Sequence, residues 1–79
     1  MRHFTQVELT SPSGRIEVWW LPVPDGKAKV GEKIANNGED WTISQVCTTL
    51  LEKDIPRQQL HRVAHHFKRD AMVIAEMSI

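Results

Sequence analysis

Polar and apolar residues alternate where the chain begins: Thr5, Val7 and Leu9 fall in one phase, Gln6 and Glu8 in the other. A period of two marks a half-buried strand, so a strand is predicted over 4–9. Ser11-Pro12-Ser13-Gly14 is a turn by composition, because proline presets one dihedral and glycine accepts a positive φ. Alternation resumes from Arg15 to Leu21, with Ile16, Val18 and Trp20 in one phase, and the two runs read as a β-hairpin. After the loop signal Pro22-Val23-Pro24-Asp25-Gly26, a third strand is predicted from Val30 to Ile34. Asn37-Gly38 then provides the left-handed dihedrals of a tight hairpin turn.

The fourth strand, Trp41 to about Leu50, changes parity partway. Trp41 and Ile43 share one phase; Val46, Thr48 and Leu50 share the other. A one-residue phase shift is what a β-bulge produces, and two short strands joined by a kink are the alternative. Beyond residue 54 the period becomes helical. Asp54 and Pro56 suit a helix start. Leu60, Val63, Ala64 and Phe67 recur at i, i+3, i+4 and i+7, predicting an amphipathic helix over about 56–69. The tail 71–77 fits either a closing strand or a helical extension; the strand is preferred, because it covers an otherwise open sheet edge. The expected core is Val7, Leu9, Ile16, Val18, Trp20, Ile43, Val46, Leu60, Val63 and Phe67. These elements give an α+β class: a small SH3-like, partly open antiparallel β-barrel of four to five strands with one C-terminal amphipathic helix.

Length confines this to a single domain over 1–79, since domains run to roughly 100–200 residues. The one cysteine excludes an internal disulfide. No run approaches the ~18 apolar residues of a membrane span, and Met1-Arg2-His3-Phe4 opens no signal-peptide hydrophobic region. A cytoplasmic protein is the expectation, host cytoplasm if the chain is phage-encoded.

The net charge of zero hides a division. Residues 1–56 carry six basic and eight acidic side chains, whereas 57–69 hold Arg57, Arg62, Lys68 and Arg69 with no acid. On a helix these cations, with His61, His65 and His66, would form one basic face. Such a face suits an acidic protein surface, or nucleic acid through phosphate contacts. Dedicated nucleic-acid binders usually have a domain pI above about 9, and this chain's is 6.9, so a protein partner leads.

Catalytic groups are hard to assemble. Cys47 in mid-strand, with no activating His signalled nearby, reads as a small buried hydrophobe. Glu39-Asp40 are solvated loop carboxylates. His61 and His65 stand at i and i+4, as in helical zinc sites, but the helix supplies neither a third nor a fourth ligand. The expectation is therefore no enzyme, no metal and no cofactor. Trp19 and Trp20, as strand neighbours, must face opposite ways. With Trp20 in the core, Trp19 is either covered by the helix or exposed as an aromatic anchor of the kind found at binding hot spots. The expected partner-binding set is Arg57, Arg62, His65, Lys68, Arg69 and Trp19.

Val30-Gly31-Glu32-Lys33-Ile34, the glycine hairpin and Trp41-Thr42-Ile43-Ser44-Gln45-Val46 resemble small phage- and prophage-encoded proteins, in which VG-x-x-I, a glycine turn and W-T-V-x-x-V recur. With the first strand pair the resemblance covers residues 1–50. It implies a host-takeover factor: a regulator or inhibitor that binds a host complex such as RNA polymerase, affecting transcription, or a CRISPR effector. No functional residue carries over by motif.

Overall fold

The structure is a computed structural model that describes residues 2–36, 38–65, 67–68 and 73–74. Four antiparallel strands build an open sheet: β1 (His3–Thr10), β2 (Ile16–Leu21), β3 (Lys33–Asn36) and β4 (Glu39–Leu51). Two short strands, β5 (Phe67–Lys68) and β6 (Val73–Ile74), extend it to the order β2-β1-β4-β3-β6-β5. Helix is confined to the 3₁₀ turns Glu52–Asp54 and Arg57–Arg62 among the described residues. None of the helices is long and apolar enough to cross a membrane.

The hairpins form where their turn chemistry places them. Ser11 accepts at its carbonyl from Gly14 N–H and donates its own N–H to the Arg15 carbonyl, closing β1 onto β2. Gly38 has φ +78°, a conformation that carries no steric cost for glycine alone, and Asn36 pairs with Glu39 across that turn. The third strand starts later than its sequence suggests. Gly31 and Glu32 still bond Ile43 at 2.8 and 2.9 Å, so the ladder begins before the regular strand does.

β4 is bulged twice against β1. Between Glu8↔Gln45 and Leu9↔Ile43, Ser44 is the extra residue. Between Thr5↔Thr49 and Val7↔Val46, Cys47 and Thr48 together oppose Gln6. The parity change in the sequence has this cause: Ile43 and Val46 reach the same core because one residue between them is left out of the alternation. Cys47 is consequently exposed, not buried, because it lies in the second bulge.

The sheet is buried on both faces at one end. The larger core gathers Val7, Leu9, Trp19, Leu21, Val23, Ile34, Trp41, Ile43 and Ala64, with Val46 and Phe67 against it. The smaller one, on the opposite face, holds Phe4, Trp20, Ile55 and Val63, with Leu50 against it. Register explains the division: Val7↔Trp19 and Thr5↔Leu21 are opposite pairs and share a face, as do Gln6↔Trp20 and Glu8↔Val18 on the other. The expectation that Ile16 and Val18 enter the core is therefore corrected. They share a face with Trp20, but the C-terminal segment covers that face only around Trp20, leaving Ile16 61% and Val18 40% exposed. Leu60 is exposed as well.

Among the described residues of 56–69, the predicted helix is not formed: a 3₁₀ turn spans Arg57–Arg62, Val63 bridges β2, and Phe67–Lys68 is a strand. Its start lacks support: Pro56 precedes the turn with no side-chain cap, and no acid stands in the first turn. Past Arg62 the backbone obtains a better partner in the sheet. Val63 bridges Trp20 in parallel, and Ala64 N–H donates to the Trp20 carbonyl at 2.9 Å. The adjacent Val63 and Ala64 then enter opposite cores, which an extended chain permits and a helix does not. Within the expected closing strand 71–77, Val73 and Ile74 form β6, with Ala35↔Val73 parallel; the other residues of that stretch lie outside the described ones.

Candidate interface at the outer edge of β2

β2 is the first strand of the sheet order, and among the described residues its far side is met by the single bridge of Val63 to Trp20. The Arg57–Arg62 turn lies beside it on the face that carries Trp20. Between them is a groove of about 390 Å³, lined by Gln6, Ile16, Glu17, Val18, Trp20, Gln59, His61 and Arg62. Its apolar wall is Ile16 and Val18, and the buried Trp20 forms its base.

The wall is fixed by polar contacts. Gln59 Oε1 accepts from Trp20 Nε1 at 2.9 Å and from Gln6 Nε2 at 3.2 Å, tying the turn to both strands of the hairpin. Arg62 Nη1 lies 2.6 Å from Glu17 Oε1, and its guanidinium lies over the Trp19 ring at 5.5 Å. Trp19 Nε1 donates to the same Glu17 oxygen at 3.0 Å. Arg62 thus crosses the edge of β2 and ties the turn to the far face. The pair is partly exposed, so its contribution to stability is small, about 0–1 kcal/mol.

Among the described residues, the helix that would align the predicted partner-binding residues on one face is not formed. Arg57 and His65 are exposed, Arg62 is partly so, and Trp19 is buried in the larger core. An exposed Trp19 anchor is therefore excluded: the ring lies under Arg62 rather than in solvent. His65 sits at the other end of the segment, edge-on to Phe4 at 6.1 Å, with its carbonyl accepting from Arg2 and its Nδ1 4.0 Å from Glu52. His61 faces the groove instead. Lys68 pairs with Val73 in the β5–β6 ladder, and Arg69 and His66 lie outside the described residues. Among the described residues no three His, Cys, Asp or Glu side chains converge as metal ligands.

Ile16 and Val18, which alternation assigned to the core, line the groove instead, together with His61 and with Gln59, which no pattern singled out. The available signal was the run Trp19-Trp20-Leu21 following Ile16-Glu17-Val18: three consecutive apolar residues require both faces covered, whereas strict alternation before them requires only one. A second recess, about 490 Å³, lies between Thr10, Lys33, Asp40, Thr42 and Ser44. Several of its polar groups bond one another, Lys33 Nζ to Thr42 Oγ1 at 2.8 Å and Thr10 Oγ1 to Ser44 Oγ at 2.9 Å. No known protein family, curated protein or solved structure matches the chain.

Proposed function

We propose that this chain is a non-enzymatic binding protein that acts by contact with another protein, and that the β2 groove is its contact surface. One observation carries this reading: Ile16 and Val18 stand exposed side by side over a groove whose base is a buried tryptophan. Adjacent exposed aliphatic side chains over a concave site are what partner surfaces present, whereas an isolated exposed residue such as Val30 is ordinary. His61 and Arg62, which line the groove, suit an acidic partner surface.

The resemblance of residues 29–46 to phage and prophage proteins supplies the class of partner, a host complex such as RNA polymerase or a CRISPR effector, met in the host cytoplasm. The same reading takes the sheet as an SH3-like partly open barrel. In support, Val63 bridges the β2 edge and Phe67, shortly after it, belongs to β5 at the opposite end of the strand order.

The test is capture from bacterial lysate, with and without nuclease, by the wild type and by an Ile16→Lys/Val18→Lys variant. Both substitutions fall on exposed positions and should leave stability within about 0.5 kcal/mol per site. Capture that survives nuclease and is lost in the folded variant is the expected result. Capture lost on nuclease treatment, and unaffected by the variant, would assign the function to nucleic acid instead.

A further inference from the structure

The backbone of β2 carries information beyond the groove. Trp20 directs its carbonyl outward, to Ala64 N–H, while Arg15 directs its carbonyl inward, to Ser11 N–H. Alternate residues of a strand point their N–H and C=O to opposite sides. Ile16 and Val18 therefore share the outward orientation of Trp20, and no backbone group among the described residues bonds them there. An open edge of this kind is a template for a further strand. Two charges flank Ile16 on the opposite face. Arg15 is exposed, paired with Glu39 and lying over the Trp41 ring. Glu17 accepts from Arg62 and from the Trp19 indole, both at one oxygen, Oε1.

We infer that two copies of this chain pair through this edge as a two-fold, antiparallel extension of the sheet, with Ile16 opposite Ile16. The inference goes beyond the groove reading and stands on the edge alone. The stretch Arg15-Ile16-Glu17 is its own antiparallel complement: rotation about Ile16 sets each Glu17 opposite the Arg15 of the second copy, on one face of the sheet. That contact balances without using any charge twice. It lines up Arg62, Glu17, Arg15 and Glu39 in alternating sign, the last two from the second copy, and Arg15 meets the carboxylate at Oε2. An acidic segment of another protein gains nothing comparable, because it meets Glu17 as well as Arg15.

The segment after Pro56 selects the register. Were Glu17 the centre instead, Glu17 would stand opposite Glu17, and Gly14 of the second copy would run into the place beside Trp20 that Val63 and Ala64 hold. Centring on Ile16 brings Gly14 only as far as Val18; beyond it the second copy turns away through Ser11–Gly14 to its own β1. Each Ile16 gives and receives one main-chain hydrogen bond across the axis. The side chains of Ile16 and Val18 stay on the sheet face, where the two grooves become neighbours. The contact is small beside the ~1,200–2,000 Å² of stable interfaces, so the pair is weak and the dilute, isolated chain has its edge open.

Sedimentation equilibrium from micromolar to millimolar protein is the test, with circular dichroism to show that each variant folds. The wild type should pass from monomer to dimer across this range. Ile16→Pro deletes an N–H that bonds no backbone group among the described residues, at an edge position where a strand tolerates proline. It should weaken pairing about tenfold, since symmetry removes two hydrogen bonds. Arg15→Glu and Glu17→Arg should each weaken self-pairing several-fold, by setting like charges opposite, and should pair with each other when mixed. A wild type that stays monomeric at millimolar concentration overturns the inference. So does a dimer that Ile16→Pro leaves intact, or a mixture of the two charge variants that pairs no better than either alone. Capture from lysate reads the groove separately: a monomer that still captures a partner through Ile16 and Val18 sinks the dimer alone, and a dimer that captures nothing sinks the groove reading alone.

Discussion

Trp19 and Trp20 show how adjacent residues of one type acquire different roles. That they face opposite ways follows from the strand alone. Which of them meets the larger core does not, because both parities of β2 are apolar after Glu17, and the register with β1 decides. Val7↔Trp19 places Trp19 against the larger core, 7% exposed, so Trp19→Ala should cost about 3–5 kcal/mol in urea unfolding. Ile16→Thr, on the same strand, should cost under about 0.5 kcal/mol, since that side chain is already in water. Gln59 is a subtler case. Its carbonyl oxygen is the one acceptor that Trp20 Nε1 has, and the tryptophan is buried. Gln59→Ala should therefore destabilise by about 1–3 kcal/mol, the cost of leaving a buried donor unpaired. Equal unfolding midpoints for Gln59→Ala and wild type would show that water replaces this bond. Nothing in the local sequence marks Gln59, whose partners lie 39 and 53 positions away.

At the scale of elements, the strands and hairpin turns were legible, and so was the parity break in β4. Alternation and turn residues are local, and a bulge leaves its mark in the sequence as a missed beat. The segment after Pro56 was not legible. Leu60, Val63, Ala64 and Phe67 fit a helical stripe, but spacing takes no account of a sheet edge with an unfilled carbonyl. That carbonyl belongs to Trp20, and Ala64 N–H answers it. The bridge takes Val63 and Ala64 out of the helical stripe that their spacing had implied. Ala64→Pro removes this donor and adds ring carbons at a fully buried position. We expect a loss of about 1–3 kcal/mol, with Trp20 fluorescence shifted to the red as the smaller core opens. An unchanged spectrum and midpoint would mean that Val63 and the side-chain contacts of Gln59 and Arg62 hold the segment without the bridge.

For the whole molecule, the cores and the Arg57–Ala64 segment leave the apolar pair Ile16 and Val18 of the β2 edge exposed, and the proposed function rests on that stretch. Of the residues that sequence assigned to a partner, Arg62 lines the groove, His65 lies at the far end of the segment, and Trp19 is internal. The groove was only partly legible because it is built from β2 and a turn some 40 residues later in the chain; no short pattern spans that separation. Amide hydrogen exchange of the isolated protein, resolved by residue, tests the central claim most directly, because backbone protection reports which edge groups are bonded. Slow exchange at Glu17 and Trp19 with fast exchange at Ile16 and Val18 is the result expected of a strand bonded to β1 on one side and open on the other. Protection at Ile16 and Val18 equal to that at Glu17 and Trp19 would mean that the edge is already filled, and would contradict the account.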